Sequence, residues 1–368
     1  MTDKAPKNKK ERLLNLPSVI LLSLAALSAV ILLISALNPE FAAFFHQYVG
    51  GFVRIVLAYL TNLIPFSLAE LLIILLPVAI TVFVIYTIKN KNRKAISHVI
   101  TLLSVLSVIF SSFVFSFGTG YHTPSLYERF DISKEKPSVL SLKSTANTLI
   151  AEINFRVPDI NYGADGSSVI PYSMDKMNGL LVDAYKPISE KYKFVQHFDS
   201  NIKPVFLSRP MAYTHTTGIY TFFTGEANLN MDFPDYTLAF TAAHELAHQR
   251  GISREDEANF FAFLACINSG DTYLEYCAYM NVFEFVAGAL KKADADAYSE
   301  VMKYLSSPAK DEMRAYAKYY SKYEKALAGK VSSSVNNAYL IANGAPEGTN
   351  SYGLVVDLTV AYLNGAFD

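Results

Sequence analysis

The sequence predicts a membrane-anchored, mainly α-helical protein in which three N-terminal transmembrane helices precede an α+β domain. Long apolar runs are confined to the first 118 residues, as expected for membrane helices. Beyond them the composition is that of a soluble domain, and apolar residues mostly recur at helical spacing. One stretch, residues 218–230, is instead β-branched and aromatic, which is typical of strands.

Composition and charge exclude several classes of protein. Of the 368 residues, 51% are hydrophobic and 18% are charged, and the formal net charge is −1. A chain without a basic excess does not fit a nucleic-acid-binding protein. The two cysteines, Cys266 and Cys277, are too few for a disulfide scaffold or a thiolate metal cluster, and we expect two buried free thiols.

Three apolar runs are each long enough to cross a bilayer core of about 30 Å. They cover residues 16–37, 66–88 and 96–118, with boundaries good to a few residues. A cleaved signal peptide is the alternative for the first run. Its charge-free length exceeds the apolar region of a signal peptide, however, and further apolar runs follow. We therefore predict three transmembrane helices within residues 16–118.

The segment at residues 41–63 is apolar but also contains two glycines, a glutamine, His46 and Arg54. This mixture does not fit a helix surrounded by lipid, because unpaired polar groups are costly there. The segment is therefore predicted to be an interfacial or re-entrant helix.

The distribution of lysine and arginine predicts the orientation in the membrane. Basic residues cluster in a tail at 1–15 (Lys4, Lys7, Lys9, Lys10, Arg12) and in the loop between the second and third spans (Lys89, Lys91, Arg93, Lys94). Loops rich in these residues stay in the cytoplasm. With three spans, residues 119–368 then form a domain on the outer face of the cytoplasmic membrane.

The pattern after the last span predicts mostly helices. Helical spacing covers residues 141–157, 174–192, 236–250, 254–268, 273–292 and 295–327, and strand patterns cover 203–207 and 218–230. Gly251 is expected in the left-handed conformation that ends a helix. Ser253 is expected as the N-cap of the next helix.

The sequence His244-Glu-Leu-Ala-His248 (HExxH) lies within the predicted helix at 236–250. Positions i and i+4 of a helix face the same side, so both imidazoles could bind one metal ion. Glu245, beside the first histidine, would take a proton from the attacking water. The spacing is typical of zinc hydrolases and predicts a Zn²⁺ site.

Two histidines leave a catalytic zinc ion one protein ligand short. In one group of zinc peptidases the third ligand is a glutamate on the following helix, and the sequence from Glu255 to Asn259 resembles that pattern. Glu255 is therefore the favoured third ligand, and Glu257 is the alternative. Asn259 or Asp256 could orient a ligating imidazole. A third histidine ligand is excluded, because the position it requires holds Arg254.

Other residues have weaker claims to the site. His215 could face a cleft, although a position in a surface loop is favoured. Glu226 fits a structural role as well as a substrate contact. Tyr273, Tyr276 and Tyr279 could include an oxyanion donor, although core positions are favoured.

Several motifs together resemble one family of bacterial membrane proteins, the family of domain of unknown function 3810. They are HELAHQRG at 244–251 and EDEANF at 255–260, with shorter motifs at 117–121, 217–220, 223–228, 351–353 and 356–358. The resemblance covers most of the chain from the first span onward. It implies an N-terminal membrane region and a domain similar to the zinc peptidase clan. It does not indicate a substrate.

These observations predict a zincin-like metallopeptidase domain, anchored in the bacterial cytoplasmic membrane, that hydrolyses peptide bonds with Zn²⁺ as cofactor. The expected partners are the lipid bilayer and a peptide or protein substrate, aligned by the strand at 218–230; no nucleic acid is expected. Two alternatives stay open. The metal could serve a non-catalytic sensor or assembly protein, or the enzyme could be a zinc amidase acting on cell-wall material.

Overall fold

The computed structural model describes residues 15–91, 95–133 and 135–367. The predicted cytoplasmic tail lies outside the described residues apart from Asn15, and so do Arg93 and Lys94 of the second basic cluster. Helices dominate the described residues, as predicted, and several of those nearest the N-terminus are long and apolar.

Three apolar helices of 22 residues each correspond to the predicted spans. They are α1 (Leu16–Leu37), α4 (Leu68–Lys89) and α5 (Ala95–Ser116). At about 1.5 Å per residue each is roughly 33 Å long, which matches the core of a bilayer. α1 packs against α5, whereas nearly all side chains of α4 are at least partly exposed, as expected for a helix surrounded by lipid.

The segment between α1 and α4 is also long and apolar enough to cross a membrane. It consists of α2 (Pro39–Phe44), a π-helical stretch (Phe45–Gly50) and α3 (Gly51–Asn62). Gln47 Nε2 donates a hydrogen bond to the carbonyl oxygen of Lys193 (2.9 Å). Asn62 Nδ2 donates to the carbonyl oxygen of Asp199 (3.2 Å). The segment therefore contacts the domain after α5 near its middle and at its end.

Arg54, on α3, has no exposed surface. Its guanidinium donates to the carbonyl oxygens of Ser116 (2.6 Å) and His46 (3.0 Å) and to Gln196 Oε1 (3.0 Å). A buried cation is tolerated only when its donors are paired. These hydrogen bonds tie α3 to the end of α5 and to the domain that follows.

Most elements after α5 pack around one hydrophobic core, and Phe117, Tyr121, Tyr220 and Leu340 form a second, smaller cluster. In chain order the elements after α5 are a 3₁₀ turn (Gly118–His122), α6 (Leu126–Arg129), α7 (Val139–Arg156), a 3₁₀ turn (Val157–Asp159), α8 (Met174–Lys191), β1 (Lys203–Pro204), α9 (Ser208–Ala212), β2 (Gly218–Thr221), β3 (Glu226–Leu229), α10 (Asp235–Gln249), α11 (Glu255–Ile267), α12 (Thr272–Ala293), α13 (Ala295–Val301), α14 (Ser307–Tyr320), α15 (Leu327–Ala342), a 3₁₀ turn (Gly348–Leu354) and α16 (Val355–Leu363). α10 and α11 lie at the centre, covered by α8, α12, α16 and the strands.

The described strands form one small sheet in the order β1-β3-β2. β1 pairs with β3 in parallel, and β2 pairs with β3 antiparallel, with Ile219 opposite Asn228. β2 is therefore an edge strand, and it also contacts α10. The strand predicted at 203–207 is shorter than expected, because the chain turns into α9 soon after Pro204.

Aromatic residues of α11 and α12 fill much of the core, among them Phe260, Phe263 and Phe283. Cys266 and Cys277 are buried in the same core, and neither forms a disulfide within the described part of the chain. This confirms the prediction of two buried free thiols.

Two local predictions were wrong. Ser253 does not cap α11: the N-cap is Arg254, and Ser253 Oγ donates to the carbonyl oxygen of Phe117 (3.0 Å). The helix predicted at 295–327 is divided into α13 and α14, with α15 beginning at its end. Pro308 lies in the first turn of α14, where proline favours a helix start and prevents continuation from the preceding helix.

Candidate metal centre

The HExxH helix, α10, ends in a turn that reverses the chain. Gly251 has φ +99°, in the left-handed region. Its N–H donates to the carbonyl oxygen of His248 (3.0 Å), and the N–H of Ile252 donates to that of Ala247 (3.1 Å). This pair of hydrogen bonds is a Schellman motif. It brings α11 back along α10, so that residues of both helices face one another.

Two histidines of α10 and one glutamate of α11 converge at this hairpin. Glu255 Oε2 lies 3.2 Å from His244 Nε2 and 3.3 Å from His248 Nε2. The three atoms that could bind a metal lie within 4.8 Å of one another, and all three residues are buried. The structure therefore brings together the two histidines and the favoured third ligand of the sequence analysis.

The other ring nitrogen of each histidine is held by the protein. His244 Nδ1 lies 2.8 Å from Asn259 Oδ1, and His248 Nδ1 lies 2.7 Å from the carbonyl oxygen of Ile252. Both partners are acceptors, so each Nδ1 carries a proton, which leaves each Nε2, the atom nearest Glu255, as the nitrogen that could bind a metal. Asn259 thus has the orienting position expected for it, whereas the role of Ile252 was not foreseen.

Glu257, the alternative third ligand, faces away from the histidines. Its Oε1 accepts a hydrogen bond from the N–H of Leu126 (2.8 Å) and lies 3.5 Å from Arg254 NH1. Asp256, the alternative orienting residue, is not hydrogen-bonded to either histidine in the described part of the chain; its burial and the neighbouring Glu257 raise its pKa to about 7. The geometry favours Glu255 and Asn259.

Glu245 lies between the histidines and the edge strand. One of its carboxylate oxygens, Oε2, is buried without a hydrogen-bond partner among the described residues, while the carboxylate also accepts the N–H of Tyr220. Gly218 makes room for it, because a Cβ at that position would come within 2.6 Å of Glu245 Oε1. Burial raises the pKa of Glu245.

The charges of the cluster depend on one another. Burial alone would raise the pKa of Glu255, but the charge of His248 and the hydrogen bonds from both histidines outweigh it and hold this pKa well below its ordinary value. Burial likewise opposes the imidazolium form of His248, but the charge and hydrogen bond of Glu255 prevail and raise that pKa to about 9. Glu255 is therefore ionised, and a neighbouring positive charge stabilises its buried carboxylate.

Aromatic side chains surround the cluster. The ring of Phe117 packs edge-on against His248, with 5.6 Å between ring centroids, and Tyr352 stacks on His244 at 6.4 Å. The Tyr352 hydroxyl is hydrogen-bonded to Glu255, and burial together with this carboxylate raises the pKa of Tyr352, so the hydroxyl stays a donor. Reasoning about single residues missed both aromatics, although both lie in motifs of the family resemblance.

The cluster opens into a cavity of about 1100 Å³. Glu245, both histidines, Glu255 and the whole of β2 except its last residue line the cavity. Its far end is formed by Asn281, Glu284 and Tyr316. The three residues that could bind a metal therefore lie in the wall of this cavity.

The remaining candidates have other surroundings. His215 lines the cavity but is bonded through Nε2 to the carbonyl oxygen of Tyr323 (2.8 Å). Glu226 accepts the N–H groups at the start of α4, which is a structural role. Tyr273 and Tyr276 are buried in the core away from the cluster, and Tyr276 donates to a buried glutamate (2.6 Å).

Fold and site together define a mainly helical protein with apolar N-terminal helices and a buried cluster of two histidines and a glutamate at the floor of a cavity. The family model described as "Protein of unknown function (DUF3810)" matches residues 45–360, and the chain belongs to this family. No curated protein and no solved structure matches the chain. The match begins in the π-helical stretch, so the family includes α3 as well as the domain.

Proposed function

We propose that the protein is a membrane-anchored, zinc-dependent peptidase with a zincin-like catalytic domain. The observation that carries the proposal is the convergence of His244, His248 and Glu255 at one point. Two imidazoles and one carboxylate are a donor set that suits catalytic zinc, and the hydrogen bonds at both Nδ1 atoms prepare the imidazoles as ligands.

The surroundings of the cluster fit a catalytic ion better than a structural one. Structural zinc sites have four protein ligands, whereas catalytic sites have three and leave one position to water or substrate. Among the described residues the group contains three ligands, and it faces the cavity. When bound, a zinc ion would supply the Lewis acidity that makes water nucleophilic at neutral pH and polarises a carbonyl group.

Glu245 is the general base of the proposed reaction. Its carboxylate lies in the cavity beside the two histidines, with one oxygen free of hydrogen bonds among the described residues. Burial raises its pKa, which makes the carboxylate a stronger base. It takes a proton from the attacking water and delivers it to the amine nitrogen as the C–N bond breaks.

Strand β2 is proposed to align the substrate. The N–H of Tyr220 is directed to Glu245 and not to β3, so the outer edge of the strand faces the cavity. An extended peptide can pair with such an edge through its backbone. Residues 218–220 would then hold the scissile bond next to the general base.

The contacts of the segment at 39–62 support three spans and not four. Gln47, near its middle, and Asn62, at its end, both bond to residues of the domain. A helix that crossed the bilayer could not touch the same domain at both places. Lys89 and Lys91, at the other end of α4, belong to the basic clusters that favour the cytoplasm, which supports an outward-facing domain.

Metal analysis and turnover test the proposal together. We expect purified wild type to contain about one zinc per chain and to cleave peptides, and Glu245→Gln to keep its zinc and lose at least about 100-fold in rate. If wild type binds zinc but cleaves no peptide, the non-catalytic sensor or assembly role replaces the peptidase as the proposed function. Release of amines from cell-wall fragments alone would identify an amidase. A His244→Ala variant that binds zinc as tightly as wild type would reject the site itself.

A further inference from the structure

We propose that the substrate of this site is a polypeptide anchored in the same membrane, which is cut within a few residues of the bilayer surface. The inference deepens the proposed peptidase function and rests on it and on the three-span topology. It follows from the position of the site relative to the ends of α4 and α5.

The end of α5 forms one wall of the site. Ser116 is the last residue of α5, and the next residue, Phe117, packs its ring against His248 with 5.6 Å between centroids. The carbonyl oxygen of Phe117 accepts a hydrogen bond from Ser253 Oγ (3.0 Å), in the turn between α10 and α11. No linker separates the span from the metal ligands.

Strand β2 runs toward the same end of the domain. Phe222, which follows it, accepts a hydrogen bond at its carbonyl oxygen from Ser116 Oγ (3.0 Å) and packs against Phe113 of α5 (5.3 Å between centroids). At the start of β3, Glu226 accepts the N–H of Leu68 (3.0 Å), the first residue of α4. A peptide paired with β2 therefore has one end directed at the bilayer.

An apolar collar lies beside the start of α4. It consists of Leu63, Phe66, Phe206 and Leu207, which are all exposed, Phe206 to 89%. The carboxylate of Glu70, in the first turn of α4, accepts the N–H groups of Phe206 (2.9 Å) and Leu207 (2.7 Å). Large apolar side chains at the level of the lipid headgroups insert into that layer. Insertion of the collar into the headgroup layer fixes the distance between the domain and the membrane.

These contacts give an approximate height for the site. The 22 residues of α4 cross a core of about 30 Å from Lys89 on the cytoplasmic side, so Leu68 and Ser116 lie near the outer boundary. The contact of Phe117 with His248 then places the metal ligands on the order of 10 Å above that boundary, a distance that about three extended residues cover.

The lining of the cavity agrees with this orientation. Its membrane end is aromatic, with Phe117, Tyr121, Phe222 and Tyr339. Its far end, near the start of α10, is mixed, with Asn281 and Glu284 beside Phe285 and Tyr316. Substrate residues between the cut and the membrane anchor are therefore expected to be apolar or aromatic.

The test uses the full-length protein in lipid nanodiscs with Zn²⁺. Peptides with a randomised segment are presented free in solution, joined to a single transmembrane helix, or joined to a diacyl lipid, with spacers of roughly 0, 10 or 25 residues between anchor and segment. We expect cuts in both anchored forms within about five residues of the anchor when the spacer is absent, mapped by mass spectrometry. Free peptides at the same bulk concentration should be cut at least about ten-fold more slowly.

The outcomes separate this inference from the proposed function. Free peptides cut as fast as anchored ones, or anchored peptides cut only with the longest spacer, would overturn the membrane-proximal substrate and leave the peptidase intact. No cleavage of any form by zinc-loaded protein would reject the peptidase. Cutting of the lipid-anchored form alone would narrow the substrate to lipid-linked peptides. Glu245→Gln in the same nanodiscs controls for contaminating proteases.

Discussion

His46 Nε2 lies 2.8 Å from the carbonyl oxygen of Gly251, although 205 positions separate the two residues. Gly251 closes the HExxH helix in a left-handed conformation, and His46 belongs to the π-helical stretch between α1 and α4. His46 Nδ1 lies 3.2 Å from Thr119 Oγ1, just after α5. One buried imidazole thus joins three parts of the chain at the turn that sets the spacing of His248 and Glu255.

Replacement of His46 is expected to weaken zinc binding, although His46 is not a ligand. His46→Ala removes the hydrogen bond to Gly251, and loss of a buried bond costs about 1–3 kcal/mol. If half of that cost falls on the metal-bound arrangement, zinc affinity falls by up to about ten-fold, measured by competition with a chromogenic chelator. Tyr48→Ala, on the exposed side of the same stretch, should change nothing. Unchanged affinity in His46→Ala would disprove the connection.

The choice between the two glutamates of α11 is tested by a pair of matched variants. Glu255→Gln replaces a carboxylate that faces both histidines, and we expect its zinc content after dialysis to fall below about a tenth of wild type. Glu257→Gln alters only the contacts with Leu126 and Arg254 and should keep its zinc. Elemental analysis gives the answer. The reverse result would assign the ligand to Glu257.

Gly218 limits the position of Glu245, the proposed general base. In Gly218→Ala the new Cβ would lie 2.6 Å from Glu245 Oε1, so the carboxylate must move. We expect zinc content to remain and the peptidase rate to fall by about 10- to 100-fold. Gly179→Ala is the matched control, because nothing lies within 4 Å of its Cβ position. Equal rates in the two variants would show that Glu245 does not need its present position.

Glu284, at the far end of the cavity, should make stability depend on pH. Burial raises its pKa from 4.5 to about 7, with Glu312 adding to the rise, and the Tyr236 hydroxyl donates to it (2.8 Å). The unfolded chain therefore releases this proton at a lower pH than the folded chain does. Stability falls as pH rises from about 4.5 to about 7, by on the order of 3 kcal/mol.

Glu284→Gln removes this ionisation and keeps an acceptor for Tyr236. We expect its Tm to exceed that of wild type at pH 8 and to differ little at pH 5. A thiol-reactive dye can report unfolding in detergent, because Cys266 and Cys277 are both buried and free in the native protein. The same difference in Tm at both pH values would contradict a raised pKa.

The HExxH helix could be predicted from the sequence because its signals are local. The helix predicted at 236–250 is observed as Asp235–Gln249, and Gly251 has the expected positive φ. Helical periodicity and a glycine stop depend on residues only a few positions apart. The long apolar helices near the N-terminus were predictable for the same reason, since length and apolar composition suffice.

The completion of the site could not be predicted in this way. Glu255 and Glu257 are two positions apart and so point about 200° from each other around a helix. Which of them faces α10 depends on where α11 begins, and the assignment of Ser253 as N-cap was wrong because Phe117 uses that hydroxyl. Tyr352 likewise reaches the site through tertiary packing. Neither contact leaves a periodic pattern near HExxH.

The long separation between His46 and Gly251 also has a consequence for biosynthesis. At roughly 5–20 residues per second, the ribosome needs on the order of ten to forty seconds to make the chain between them. The guanidinium of Arg54 likewise cannot bond to Gln196 until that residue, 142 positions later, has been synthesised. During that interval the segment at 39–62 lacks these polar partners, because they are still untranslated. In the proposed topology the candidate metal centre would be completed only after the C-terminal half has reached the side of the membrane where this helix lies.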